Sequence, residues 1–238
     1  SSAFEIILCI GVLFFGGAGI AGLAVAMSAV NKKVSPEKSG LAFGILNAGG
    51  SLGQTFLAPL AVIAILSIGW INALYCLSFL LICTLPLALF LKDNRALDVS
   101  AQPNDKLGMG KTMWLAFCTP SYNYLALGFF TCGFHVAFIG THMPGIIAAC
   151  GLPPTLSGWS LALIGIFNIL GSLFAGWYIT TRSMKIFLSA VYFSRAIIVI
   201  IFLLSPKDSL SILLFSAAVG ATYLSTVPPT AALINKMF

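Results

Sequence analysis

Two side chains in this sequence conflict chemically with their surroundings. Arg195 sits about midway along Phe187–Leu204, a run with no acid and no other charge. A charge at the centre of an apolar helix costs about 2.5–3.5 kcal/mol on insertion scales, so it is expected to face a partner or a cavity. Its forked donors match the two oxygens of a carboxylate. The structural alternative is donation to backbone carbonyls or to an acid on another segment. His135 lies in a series, Tyr124, Gly128, Thr131, His135, Phe138 and His142, that steps by three or four and so shares one helix face. At 1.5 Å per residue His135 falls roughly 20 Å into its run, nearer the middle than either end. An imidazole there can donate to a carboxylate or carry a coupling proton. Alternatively it bonds a neighbouring helix and serves packing alone.

Weaker polar series accompany these two. Asn47, Ser51 and Gln54 share a face, as do Gly165, Asn168 and Ser172. Tyr223 and Thr226 stand beside Pro228 and Pro229, which remove helix donors and are expected to kink or unwind the run. Such groups serve either as glue between helices or as the lining of a cavity. Other chemistries lack their residues. The six acids, Glu5, Glu37, Asp93, Asp98, Asp105 and Asp208, all lie outside the middles of the apolar runs. No HExxH pattern occurs; Gly49-Gly50-Ser51-Leu52-Gly53 has the letters of GxSxG but lies inside an apolar run with no acid or histidine, and Gly110-Lys111-Thr112 has Asp105 where a phosphate-cradling loop needs its first glycine, so neither an enzyme nor a cofactor is expected. The six cysteines (Cys9, Cys76, Cys83, Cys118, Cys132 and Cys150) form no CxxC pair and read as small apolar packing residues rather than a metal site.

The elements that must position these groups follow from hydropathy. Of 238 residues, 59% are hydrophobic and only 8% charged, against about 25% charged in soluble domains. Too few charges remain to cover a water-facing surface, and the expected solvent is a lipid bilayer. A hydrocarbon core about 30 Å thick takes about 20 apolar residues as helix. Seven segments qualify, roughly 4–30, 41–66, 70–91, 121–148, 157–180, 184–205 and 209–235. The polar stretch 92–120 reads as a linker between three helices (1–91) and four (121–238). Connections on one side hold Lys32, Lys33, Lys38, Lys92, Arg95, Lys106, Lys111, Arg182, Lys185 and Lys236, and those on the other only Lys207. By the positive-inside rule the first side, with the linker and the end of the chain, is cytoplasmic, and the start lies outside. Trp70 and Trp159 at the outer boundary and Trp114 and Trp177 at the inner one fit an aromatic belt. The net charge of +6 is thereby spent in loops, without the basic stripe that nucleic-acid binding needs. Gly40-x-x-x-Gly44 and Gly49-x-x-x-Gly53 offer surfaces for close helix packing. A start at Ser1 and a stop at Phe238, each beside an apolar run, read as an internal piece of a longer protein.

Ser39–Gln54, Ala58-Pro59-Leu60 and Gly69-Trp70 resemble the fifth helix and the start of the sixth in major facilitator superfamily transporters. Cys132-Gly-Phe-His-Val-Ala-Phe-Ile-Gly-Thr-His-Met-Pro144 resembles their seventh helix, and Leu224-Ser-Thr-Val-Pro-Pro-Thr230 their tenth. The likeness is strongest to the bacterial monocarboxylate and oxalate/formate-like branch. It covers nearly the whole chain and implies helices four to ten of a twelve-helix, all-α membrane bundle, with three missing before and two after. Two departures stand out. The family's loop signature after the eighth helix is degenerate here, with Thr180, Thr181, Ser183, Met184 and Lys185 following Gly176. Where animal monocarboxylate carriers hold an Asp and an Arg on the eighth helix, this sequence has Asn168 and Ser172.

The resemblance implies a secondary transporter moving a small organic solute, a monocarboxylate or similar anion, by alternating access, with a possible coupling proton, in a bacterial cytoplasmic membrane. It places the ninth helix, with Arg195, peripheral to the central cavity, which favours the structural reading of that residue. An exporter of drug-like solutes is the alternative within the family. A seven-helix receptor or photoreceptor matches the span count, but no span holds a lysine for a retinal Schiff base.

Overall fold

With no water in the hydrocarbon layer, an apolar run can satisfy its backbone only as helix, and its apolar side chains need not turn inward. The computed structural model describes residues 38–90 and 109–237, with isolated positions before Lys38. The described residues form α1 (Ser39–Ile68), α2 (Trp70–Phe90), α3 (Met109–Cys118), α4 (Pro120–Ala149), α5 (Thr155–Thr181), α6 (Met184–Leu204), α7 (Ser209–Thr222) and α8 (Val227–Met237). No strand occurs among them. Large apolar side chains face outward on every helix that could span: Tyr75 is 71% exposed and Leu204 84%. In water such a surface would aggregate; it belongs in lipid.

Among the described residues five runs are long and apolar enough to cross a membrane: α1, α4, α5, α6 and the combined stretch Ser209–Ile234. Helix α2 adds a further apolar helix of about 30 Å. The expected span 4–30 and residues 91–108 of the expected linker lie outside the described residues. The rest of that linker is mostly helical, because α3 fills Met109–Cys118 and leads through Thr119 into α4. The expected continuous span 209–235 is interrupted. Its helix stops at Thr222 and restarts at Val227, one residue before Pro228 and Pro229.

Helix α5 is the centre of the bundle. It runs antiparallel to α1 with contacts in descending register: Gly40 meets Ile179, Gly44 meets Gly176, and Gly158 meets Pro59. A Cβ on Gly44 would stand 2.7 Å from the Ser172 carbonyl oxygen, and one on Gly176 2.8 Å from that of Gly40. Only glycine permits this approach, which supplies the dispersion and polar contacts that hold helices together in lipid. The second candidate motif behaves differently, since nothing among the described residues lies within 4 Å of a Cβ on Gly49 or Gly53. The register also puts Lys38 and Arg182 at the same end of the bundle. On another face α5 meets α7, where a Cβ on Gly220 would be 2.7 Å from the Ile164 oxygen. Around this crossing Met143, Ile147, Ile164, Ile212 and Val219 are almost fully buried, and Phe202 stacks on Phe215 at 4.0 Å.

Both ends of the α6–α7 turn are capped. Lys207 Nζ donates to the carbonyls of Phe202 (2.7 Å) and Ser205 (2.6 Å), closing α6. The cation thus satisfies orphan carbonyls at a helix C-terminus. Asp208 opens α7 by accepting from the Ser211 N–H at 2.8 Å. Hydrogen bonds from the Ser211 side chain and backbone hold its carboxyl below the usual carboxylate range. The cap therefore contributes fully above the usual carboxylate range and is lost as pH falls below that range through its own lowered value.

The glycine seam is testable. Gly44→Leu in the complete protein is expected to cost about 1–3 kcal/mol through overpacking against backbone. Gly49→Leu, at a glycine with nothing packed on it among the described residues, is expected to change the thermal midpoint in detergent little. Equal effects from the two substitutions would contradict the seam.

Candidate functional site

The interruption between α7 and α8 is where polar side chains of four helices meet. Pro228 and Pro229 have no N–H for the carbonyls four residues back, and their rings exclude a regular helix there. Those two carbonyls are Leu224 and Ser225; separately, the Val227 N–H bonds the Leu224 carbonyl at 3.0 Å rather than that of Tyr223, and the carbonyls of Thr222 and Tyr223 have no backbone partner among the described residues. Arg195 of α6 meets them: its Nη2 donates to the Thr222 oxygen and, at 2.9 Å, to the Tyr223 oxygen. Cys132 of α4 adds a thiol 3.6 Å from the Tyr223 oxygen and 3.1 Å from Thr226 Oγ1. The Tyr223 hydroxyl donates to the Val136 carbonyl at 2.9 Å.

From α1 and α5 comes a buried amide–hydroxyl chain. Asn47 Nδ2 donates to Ser172 Oγ at 2.6 Å and to the Leu224 oxygen at 3.2 Å. Asn168 Nδ2 donates to Ser51 Oγ at 2.6 Å, while its Oδ1 accepts from the Leu224 N–H at 2.9 Å. Ser51 in turn donates to the Asn47 carbonyl, and Thr55 to that of Ser51. Asn47, Ser51, Asn168 and Ser172 are each at most 2% exposed. The two amides clamp Leu224 by both its backbone groups, so this chain ties α1 and α5 to the interrupted span.

Beside the interruption lies a cavity of about 580 Å³ between α4 and α6, lined by Gly128, Thr131 and His135 on one side and by Tyr192, Arg195, Ala196, Val199 and Ile200 on the other. Arg195 is 4% exposed, yet its Nε and Nη1 have no hydrogen-bond partner among the described residues. The same holds for His135 Nε2. A guanidinium has five N–H donors, and Nη2 accounts for two of them. Three donors of a buried cation and one imidazole nitrogen thus lack acceptors beside one cavity. Among the described residues no cluster of three metal-ligating side chains occurs.

A family model described as Major Facilitator Superfamily matches residues 2–238. The chain belongs to the Major Facilitator Superfamily. It is 27% identical over 206 residues to "Uncharacterized MFS-type transporter YcxA" of Bacillus subtilis (strain 168), an alignment covering 84% of this chain and 50% of that relative. The chain thus spans about half the length of the curated relative it matches. No solved structure matches. Helix bundle and family together make this an integral, multi-pass membrane protein with a partial all-α major facilitator fold.

Within that fold the residues singled out by spacing separate into groups. Thr131 and His135 line the cavity with Arg195. Tyr124 is 77% exposed, and Phe138 and His142 pack on each other at 4.8 Å on an exposed face. Asn47, Asn168 and Ser172 belong to the buried chain, Tyr223 and Thr226 to the interruption, and Gln54 is half-buried outside both. Tyr192, whose ring lies 5.8 Å from the Arg195 guanidinium, was not legible as a site residue. The signal was there: it precedes Arg195 by three positions, one helical turn. Asn168→Leu would leave the Leu224 N–H and the Ser51 hydroxyl without their acceptor and donor, at about 1–3 kcal/mol for each buried group left unpaired. We expect a lowered thermal midpoint for the complete protein in detergent, whereas Gln54→Leu should leave it nearly unchanged.

Proposed function

We propose that the protein acts as a secondary active transporter, moving a monocarboxylate or similar small organic anion by alternating access between two helical halves. The observation that carries this reading is the pair Arg195 and His135, whose unpartnered nitrogens adjoin one cavity. A buried cation short of acceptors favours an anion, and forked donors suit a carboxylate. Family membership and the printed name of the Bacillus relative, an MFS-type transporter, support transport itself. In this reading residues 1–91 end one half, 92–120 link the halves and 121–238 begin the other.

The remaining assignments extend the same proposal. His135 is the candidate carrier of a coupling proton, because an imidazole changes charge near physiological pH. Thr131, Tyr124, Phe138 and His142 continue its helix face along the pathway. Asn47, Gln54, Asn168, Ser172, Tyr223 and Thr226 form the polar wall toward the other half, their hydrogen bonds exchanging as the halves rock. The lysine-rich side faces the cytoplasm by the positive-inside rule, in a bacterial cytoplasmic membrane.

Radiolabelled carboxylate uptake by the complete transporter in vesicles with an imposed pH gradient tests this. Gradient-dependent uptake is expected, reduced at least about tenfold in Arg195→Ala and uncoupled from the gradient in His135→Ala at matched expression. Failure of well-folded wild type to take up any carboxylate would remove the anion assignment.

A further inference from the structure

We infer that α3 is a membrane-surface anchor. It lies in the interface of one leaflet, with Met113, Trp114 and Phe117 among the upper acyl chains and Lys111 at anionic phospholipid headgroups. The depth of α3 follows from α4. That helix has 30 residues, a length of about 45 Å. Even at a tilt of about 40° it extends about 34 Å along the bilayer normal, more than the hydrocarbon thickness of about 30 Å. Its first turn holds the polar Ser121, Tyr122 and Asn123, so this end stands in the headgroup layer. Gly128 of α4 packs on Tyr192 of α6, each eight positions past the start of its helix. The start of α4 is therefore level with the start of α6, at the end of the bundle that holds Arg182 and Lys185.

The corner between α3 and α4 is fixed. Thr119 is extended (φ −92°, ψ 111°), and an extended residue between two helices does not keep them coaxial. The last carbonyls of α3 are met across this corner. Thr119 donates from its N–H to the Ala116 oxygen at 3.0 Å and from Oγ1 to the Leu115 oxygen at 2.9 Å, while Asn123 Nδ2 donates to the Phe117 oxygen at 2.8 Å. The Phe117 ring meets Tyr122 edge-on at 6.1 Å. Helix α3 thus leaves the α4 axis in a set direction at headgroup depth. Yet Trp114 is 73% exposed, and Met113, Leu115 and Phe117 are each more than half exposed. At about 100° per residue, Met113, Trp114 and Phe117 share an arc of about 100°. Lys111, the one charge on α3, lies about 120–160° from Met113 and Phe117 and borders Trp114. Leu115 alone falls on the Lys111 side. An apolar arc with an indole at its rim and a cation opposite suits a helix lying in the interface. The surface is continuous with lipid already assigned, because the exposed Leu127, Phe130 and Phe134 follow along α4.

The test uses the complete protein with Trp114 as its only tryptophan, in phosphatidylcholine vesicles with and without phosphatidylglycerol. Trp114 emission is expected to be blue-shifted, and quenched more by phosphatidylcholine brominated on the upper acyl chain than by aqueous iodide. Lys111→Glu should weaken the lipid quenching about twofold or more where phosphatidylglycerol is present, because an anionic surface attracts cations and repels acids. Without phosphatidylglycerol the same substitution should change it little. A second measurement spares the tryptophans. Cys118 is exposed and lies about 20° from Lys111, so a water-soluble maleimide should label it, as read by peptide mapping. A cysteine introduced by Phe117→Cys in a Cys118→Ser background should stay unlabelled. Iodide quenching equal to or above that by brominated lipid would overturn the inference and stand α3 in water, as would equal labelling at both positions. Resistance to both quenchers would also overturn it, by covering the same arc with protein. An equal response to Lys111→Glu in both vesicles would overturn the headgroup contact.

Discussion

The carbonyls of Thr222 and Tyr223 are left without backbone partners inside the bundle, and much of it is arranged to answer that fact. Two consecutive prolines stop the last span from closing its own ladder. The freed backbone groups are then met from outside, by a guanidinium from α6, a thiol from α4 and two amides from α1 and α5. A gap in one helix becomes a reason for four others to converge. The same defect thus shapes both the packing of the bundle and the polar character of the proposed site.

This explains why α6 holds the most unusual residue. Arg195 was legible as anomalous because a lone cation in an apolar run must be costly unless it has partners. In its geometry Nη2 donates to backbone carbonyls, as the structural reading has it, while Nε and Nη1 have no partner among the described residues. One guanidinium can do both because its donors point along separate edges, which no ammonium can reproduce.

The helices themselves were largely legible, since lipid makes apolar length nearly equivalent to helix. Each expected boundary of the five spans between 41 and 205 falls within two residues of the observed one. The interruption was foreshadowed by Pro228 and Pro229, but its four-residue extent depends on Arg195, Asn168 and Asn47 reaching it from positions 27 to 177 residues away in sequence. Periodicity along one helix carries no such information. For the same reason it grouped Tyr124, His135 and His142 on a common face without revealing that only the middle of that face meets α6. Glycine spacing marked α1 as a packing helix but not which motif would be used; that was decided by the glycines and serine of α5.

The α1–α5 seam joins a helix before residues 91–108 to one after them. Because backbones meet there at glycine contacts and through buried amide–hydroxyl bonds, the alignment of the two parts is written into noncovalent contacts. Peptide continuity between α2 and α3 is then a matter of stoichiometry and local concentration rather than of shape. A chain severed within 91–108 retains the information for its two pieces to find one register.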